Sequence, residues 1–231
     1  MKNFEIKNID FPTMHAIMRN TQSGRSMIEM LGVLAIIGVL SVGGIAGYSK
    51  AMMKYRINKT IEQITLIAGN VRTFFSNQRN YDGVRCYCGN ADCSGQSSKD
   101  GCPIHKKAKI FPDEMVTVDS ATGKITAITG AFGNDVSLQD DNGYDGLDGF
   151  MISVGSIPQE ACIEIVSQDW STANITAVGA YIGGGEHKHA ITPVDLELAN
   201  TICEDLANHS SYDLTFFVDV KNFDSAHSSS Y

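Results

Sequence analysis

The feature that most constrains this chain is an apolar run near its N-terminus. Residues 30–48 read MLGVLAIIGVLSVGGIAGY and carry no ionisable side chain apart from the terminal tyrosine. A helix needs about 20 predominantly apolar residues to cross a bilayer core of about 30 Å. The run contains five glycines, which membrane helices tolerate better than soluble helices do. The sequence therefore predicts a transmembrane helix.

One acidic residue, Glu29, stands immediately before this run, behind Met27 and Ile28. Inserting a carboxylate near hydrocarbon costs on the order of 2.5 kcal/mol or more, so the residue needs a cationic partner or a function. A secretory signal peptide is an alternative interpretation of the segment. Met27 and Ile28 extend the apolar segment upstream, and the polar stretch before them is about 26 residues long, which is long for the first region of such a peptide.

Residues 24–29 read GRSMIE, and the apolar run follows them directly. This pattern resembles the type IV prepilin signature, in which a peptidase cuts after a glycine, the new N-terminal residue is N-methylated, and the fifth mature residue is glutamate. The resemblance implies that Gly24 precedes the cut, that Arg25 becomes the N-terminus and that Glu29 is the fifth residue. A leader of 24 residues is similar to those of type IVb pilins. Mature chains of this family usually begin with an apolar residue, and Arg25 departs from that pattern.

The resemblance implies a structural subunit and not an enzyme. Such a precursor lies in the inner membrane, is trimmed by the prepilin peptidase and passes through the pilus assembly machinery. It then joins identical subunits in an extracellular helical fibre. In the fibre, Glu29 is expected to neutralise the terminal amine of a neighbouring subunit, which makes a costly lone carboxylate half of a desolvated ion pair.

Two other functions share some of these features. A minor pilin or a type II secretion pseudopilin has the same signature and differs in copy number. A bitopic membrane-anchored binding or sensor protein is the alternative from a different class, and it would keep its first 24 residues.

The order of elements predicts an α+β fold. Apolar residues at spacings of three and four, from Ile57 to Phe74, extend the membrane helix into an amphipathic half. One helix is therefore expected from about Ser26 to Arg79, laid on an antiparallel β-sheet head with a C-terminal disulfide region. The predicted domains are a leader at 1–24, the helix at 25–79 and the head at 80–231. Strands are predicted at 115–118, 124–129, 150–154, 174–178 and 214–220, and helices at 158–168 and 193–207, the second capped by Thr192. The tail at 225–231 is expected to be frayed.

The charges that flank the apolar run conflict with an external head. Arg19 and Arg25 lie upstream, whereas Lys50, Lys54, Arg56 and Lys59 lie downstream, so the positive-inside rule would keep the C-terminal part in the cytoplasm. Long domains translocate largely regardless of charge, however, and six cysteines suit an oxidising compartment. The cysteines and the signature favour an external head.

The cysteines form two groups. Cys162 and Cys203 are 41 positions apart on the two predicted short helices, and the resemblance to type IVb pilins implies a disulfide between them. A second group lies within 17 residues: Cys86, Cys88, Cys93 and Cys102. Its spacing lacks the paired C-x2-C of common zinc sites, so two disulfides are favoured over zinc. A bridge between neighbours Cys86 and Cys88 is improbable on geometric grounds, and the connectivity is otherwise open.

No catalytic site or resident cofactor is predicted. The acidic, glycine-rich stretch at 140–149 contains Asp141, Asp145 and Asp148, whose oxygens suit Ca2+, although a solvated turn is the favoured interpretation. His187 and His189 follow a triple glycine and are expected on a surface loop. The 18 basic residues against 26 acidic residues give a net charge of -8, which disfavours binding to nucleic acid.

Overall fold

The computed structural model describes residues 27–78, 80–86, 102–140, 149–182, 186–209, 213–220 and 228–230. The chain forms two compact units, Met1–Gly47 and Tyr48–Tyr231. The described part of the first unit is the beginning of helix α1, whose full bounds are Met27–Phe75. The second unit contains the rest of α1 and all the described strands. This unit is called the head below, so it includes the residues of α1 from Tyr48 onward in addition to the predicted head at 80–231.

Within the head, α1 buries one side. Its buried residues recur at spacings of three and four, as an amphipathic helix requires: Ile57, Thr60, Gln63, Ile64, Ile67, Ala68, Val71 and Phe75. The predicted stripe is therefore correct up to its last member. Phe75 is 6% exposed and lies in the core, whereas Phe74 is 41% exposed. The helix ends at Phe75, four residues before its predicted end.

Among the described residues, three further α-helices and eight strands complete the head. The helices are α2 (Pro103–Ala108), α3 (Gln159–Val166) and α4 (Leu196–Asn208). The strands are β1 (Val116–Val118), β2 (Ile125–Ile128), β3 (Val136–Asp140), β4 (Phe150–Gly155), β5 (Ile175–Ile182), β6 (Glu186–Ile191), β7 (Asp213–Val218) and β8 (Ser228–Ser230). β1 and β2 form an antiparallel pair, and the others form a six-stranded sheet in the order β3-β4-β7-β5-β6-β8. All pairs in the sheet are antiparallel except β6 with β8. This α+β architecture confirms the predicted fold class.

One face of the sheet forms the core with the helices. A row of paired apolar residues crosses it from β3 to β6: Leu138, Ile152, Phe216, Val178 and Ala190. These residues share one hydrophobic cluster with the buried side of α1 and with apolar residues of α3 and α4. The cluster therefore joins helices and sheet into one core.

The opposite face contains a row of small and polar residues in the same register. Ser153 pairs with Thr215, Thr215 with Gly179, and Gly179 with His189. The hydroxyls of Ser153 and Thr215 lie 3.2 Å apart in a buried hydrogen bond. A Cβ at Gly179 would collide with the backbone of Lys188 and His189, so only glycine allows β5 and β6 to approach this closely.

Strand β7 ends earlier than the alternation predicts. Leu214, Phe216 and Val218 share the main core, but Val220 packs in a second cluster with Phe217. Asp219 has a positive φ of 58°, which breaks the extended backbone between Val218 and Val220. The prediction that all four alternating residues lie on one face was therefore wrong for Val220.

Several other elements differ from the prediction. Strands β3 and β6 and helix α2 were not predicted, and the predicted surface loop around His189 is part of β6, where His189 is 6% exposed. The three residues of β8 pair with β6, so that part of the tail is a strand. α4 begins later than predicted because Asp195, and not Thr192, caps it by accepting a hydrogen bond from the Leu198 amide at 2.8 Å.

Candidate assembly surface

The N-terminal part of α1 exposes a dense set of large apolar side chains. Between Met27 and Gly47, twelve large apolar residues are 47–86% exposed. They are Met27, Ile28, Met30, Leu31, Val33, Leu34, Ile36, Ile37, Val39, Leu40, Val42 and Ile45. Glu29 is the one acidic residue in the same stretch. The helix is long and apolar enough to cross a membrane. Length and composition alone establish this property.

The size of this exposed surface shows that it needs a partner. Fully burying a large apolar side chain stabilises by about 1.5–3 kcal/mol, so twelve of them represent up to roughly 18–36 kcal/mol. A whole domain is stable by only about 5–15 kcal/mol. Lipid or other apolar helices must therefore cover the segment for the protein to remain in solution or in a membrane.

The five glycines of the apolar run add a second property. A Cβ placed at Gly32, Gly38, Gly43, Gly44 or Gly47 would meet nothing within 4 Å. Their lack of a side chain therefore serves no contact among the described residues. Small residues on a membrane helix let another helix approach closely, and these positions provide that surface.

Glu29 lies in the first turn of α1. A carboxylate there interacts favourably with the partial positive charge of the helix N-terminus. Among the described residues, no cation lies within ion-pair distance of Glu29. Gly24 and Arg25, the predicted processing residues, lie outside the described residues.

Two of the basic residues that follow the apolar run are paired with acids of the head. Lys54 contacts Glu164 of α3. Lys59 Nζ lies 3.2 Å from Glu62 Oε2 and 2.7 Å from Glu114 Oε1. Hydrogen bonds to Glu114 and Glu62 raise the pKa of Lys59, and the bond from Lys59 lowers the pKa of Glu114. These contacts neutralise two of the four cations that conflict with an external head.

A polar cluster around Asp219 joins the last turn of α1 to the end of β7. The carboxylate of Asp219 accepts hydrogen bonds from Arg72 Nε at 3.0 Å, from Asn174 Nδ2 at 2.9 Å and from the Tyr81 hydroxyl. Burial raises the pKa of Asp219, but the Tyr81 and Asn174 hydrogen bonds and the Arg72 charge outweigh it, so the pKa is lowered overall. Burial and the Asp219 contact raise the pKa of Tyr81. No local sequence pattern predicted this cluster, because its residues are up to 147 positions apart.

Two disulfides connect described residues. Cys162 of α3 bonds to Cys203 of α4, with their Cα atoms 5.8 Å apart and both residues 1% exposed. Cys86 bonds to Cys102, with Cα atoms 4.6 Å apart. The Cys86 amide and carbonyl also each make a 2.8 Å hydrogen bond to Leu138 of β3. This second disulfide is therefore attached to the edge of the sheet. Cys88 and Cys93 lie outside the described residues.

Buried histidines in the head have structural contacts. His105 is 3% exposed, and its Nδ1 accepts a hydrogen bond from the Phe111 amide at 3.1 Å. Burial, followed by the charge of Lys109, lowers its pKa.

No group of three or more His, Cys, Asp or Glu residues in the described part of the chain has metal-binding geometry. Asp141, Asp145 and Asp148, the candidate Ca2+ ligands, lie outside that part.

Comparison with known proteins gives a family for this head. Residues 54–212, more than half of the chain, match the family model PilS N terminal. The chain belongs to this type IV pilin-related family. A type IV b pilin from Salmonella typhi, known from its crystal structure, is similar and shares 18% sequence identity with this chain. The two structures align over 69% of this chain and 97% of that chain, with a TM-score of 0.45. No curated protein sequence matches the chain.

The matched residues of this PilS family member begin at Lys54, in the amphipathic half of α1, and include both described disulfides. The apolar run and Glu29 precede the matched residues. The assignment to the family and the signature at residues 24–29 therefore come from separate parts of the chain.

Proposed function

We propose that this PilS family member is a type IV pilin structural subunit. A prepilin peptidase cuts it after Gly24, and the mature chain from Arg25 polymerises into an extracellular fibre. The proposal keeps the division into a leader at 1–24, a helix at 25–79 and a head at 80–231. The observation that carries it is the exposed apolar helix with one acid, Glu29, in its first turn.

The helix has two suitable environments in this function. Before assembly, its apolar run spans the inner membrane, where lipid covers the exposed side chains. In the fibre, the equivalent helices of identical subunits cover them instead. Such contacts are heterologous, because one surface of each subunit meets a different surface of the next without closing a ring. Helical fibres follow from contacts of this kind.

Glu29 sets the register of that packing. Apolar helices pack in many axial positions at similar energy, so packing alone does not select one. The terminal amine created at Arg25 supplies a positive charge that pairs with Glu29 of a neighbour in one position only. Any other position leaves a buried charge unpaired, which costs about 3–5 kcal/mol.

The described disulfides support a head on the outside of the inner membrane. Both join residues that are at most 2% exposed, so they belong to the folded core. Disulfides of this kind form and persist in oxidising compartments such as the periplasm. The ion pairs of Lys54 and Lys59 also reduce the positive charge that opposes translocation of the head.

The test is a Glu29→Ala variant, compared with Glu160→Ala, which removes an exposed acid from the head. Both proteins should be present in the membrane fraction, and both should carry intact disulfides. Fibres sheared from the cell surface should contain the Glu160 variant and lack the Glu29 variant. Normal fibres from Glu29→Ala would exclude the assembly role.

The same sheared fraction separates the related functions. A major pilin is the most abundant protein of the fibre, whereas a minor pilin or pseudopilin is present at low copy number. A bitopic binding or sensor protein would be absent from the fibre and would keep residues 1–24.

A further inference from the structure

A short basic segment follows the uncharged part of α1. Residues 30–49 contain no Asp, Glu, Lys or Arg, and residues 50–59 then contain four basic residues and no acid. The whole chain has a net charge of -8, so this local excess of positive charge runs against its composition. The proposed assembly role does not account for it.

The structure divides the four cations into two kinds. Lys54 and Lys59 are paired with acids of the head, as described above. Lys50 and Arg56 are exposed, and no acid among the described residues lies within ion-pair distance of either. These two charges are therefore available to a partner outside the chain.

Two exposed tyrosines occupy the same segment. Tyr48 is 66% exposed and Tyr55 is 59% exposed. They are seven residues apart, which places them within about 20° of each other around the helix. On the same projection, Lys50 and Arg56 lie on the other sides of the helix, each about 80° or more from the tyrosines. Aromatic and basic side chains therefore surround this part of α1.

We propose that these four residues, Tyr48, Lys50, Tyr55 and Arg56, form a collar that binds anionic lipid headgroups at the membrane surface. The proposal rests on the membrane-anchored stage of the proposed function. Tyrosines are enriched at membrane–water interfaces because the ring is apolar and the hydroxyl is polar. The long Lys and Arg side chains reach phosphate groups while their stems cover apolar surface.

The position of the collar agrees with this partner. The 18 uncharged residues at 30–47 precede the collar, and their number falls within the about 17–25 residues that a helix needs to cross the hydrocarbon core. The collar therefore begins where the apolar core of the bilayer ends and the headgroups start. The charges are of the sign that anionic headgroups attract, and each such cation strengthens the attraction up to roughly fivefold.

The collar also explains why an external head tolerates four adjacent cations. The folded head neutralises Lys54 and Lys59 with its own acids, and lipid phosphates neutralise Lys50 and Arg56. The positive-inside rule counts all four residues equally, although only two of them carry an uncompensated charge among the described contacts.

The test uses the full chain reconstituted in vesicles of phosphatidylcholine and phosphatidylglycerol. Tyr48→Trp introduces a fluorescent reporter in the collar, and the parent chain, which contains Trp170, supplies the background. Quenching by brominated phosphatidylglycerol is compared with quenching by brominated phosphatidylcholine at equal content. The proposal predicts severalfold stronger association with the anionic lipid, up to roughly fivefold for each of the two cations.

Adding Lys50→Gln/Arg56→Gln to the Tyr48→Trp protein should reduce its lipid preference to about equal association, because these changes remove the charges that attract phosphate. A Lys109→Gln/Lys124→Gln variant, which changes two exposed lysines of the head, should retain it. Equal quenching by the two lipids in the Tyr48→Trp protein, or a preference that survives the added Lys50→Gln/Arg56→Gln changes, overturns the collar. If the Tyr48→Trp protein with both cations present shows equal quenching, and Lys50→Gln/Arg56→Gln abolishes fibres, the cations belong to a contact with a neighbouring subunit and the collar is wrong. If the unsubstituted protein forms no fibres but the Tyr48→Trp protein still prefers the anionic lipid, the result counts against the proposed function and leaves the collar standing.

Discussion

The disulfide between Cys162 and Cys203 offers a quantitative test of how the head is stabilised. The bond closes a loop of 41 residues, whereas Cys86–Cys102 closes a loop of 16. In the chain-entropy model, cross-linking loops of these lengths stabilises the folded state by about 4 and about 3 kcal/mol, respectively. Either value is a large share of the about 5–15 kcal/mol that holds a typical domain folded.

The perturbation is the double variant Cys162→Ala/Cys203→Ala, with Cys86→Ala/Cys102→Ala as its matched control. Both pairs are almost completely buried, so each double variant leaves apolar methyl groups in the core. The full-length protein is unfolded with urea in detergent, and unfolding is followed by the fluorescence of Trp170. This residue is 2% exposed and donates a hydrogen bond from Nε1 to the Ile165 carbonyl at 3.1 Å, so it reports on α3.

The expected result is a loss of about 4 kcal/mol in the free energy of unfolding for the long-loop variant, and a smaller loss of about 3 kcal/mol for the short-loop variant. The reasoning assumes that each bond acts mainly by restricting the unfolded chain. A larger loss from the short loop, or an unchanged urea midpoint after removal of the long-loop bond, would refute it.

The remaining predictions concern the head. The lowered pKa of Asp219 stabilises the fold above the unfolded value of about 3.9, and this contribution is lost as the pH falls through the folded pKa. Urea titrations between about pH 3 and pH 5 should therefore show a weaker acid sensitivity for Asp219→Asn than for the parent. Burial, followed by the charge of Asp135, raises the pKa of Asp213, so its effect has the opposite sign and Asp213→Asn should lose less stability as the pH rises above about 4. Phe75→Ala should cost about 3–5 kcal/mol in urea unfolding and Phe74→Ala much less, and equal losses would contradict the assigned core. Gly179→Ala should lower the thermal midpoint in circular dichroism, because a Cβ there meets backbone; an unchanged midpoint would contradict that contact.

The long helix was predictable because its signal is local and strong. The spacing of Ile57, Ile64 and Val71 specifies a buried side without knowledge of the sheet. The choice between Phe74 and Phe75 was not predictable in this way, since both lie three or four residues from Val71 and the sheet decides which one is covered. The assembly role of Glu29 stays a prediction, because it comes from a short sequence signature that lies outside the residues matched by the family.

The missing elements of the fold depend on distant contacts. β6 contains Glu, His and Lys residues, and its strand conformation comes from pairing with β5 and not from apolar alternation. The Asp219 cluster joins residues up to 147 positions apart, so no local pattern indicated it. The partner of Cys102 was left open because spacing excluded only the bridge between Cys86 and Cys88. Backbone hydrogen bonds to Leu138 of β3 hold Cys86 at the edge of the sheet, where it bonds to Cys102. This pairing therefore depends on a strand that the sequence did not predict.

The central claim is that the apolar helix remains on the mature chain and brings identical subunits together. N-terminal sequencing of the protein in sheared surface fibres tests it most directly. If the helix is retained in this way, the mature chain begins at a methylated Arg25, followed by Ser26 and Met27. A chain that retains residues 1–24, or one that starts beyond the apolar run, would contradict it.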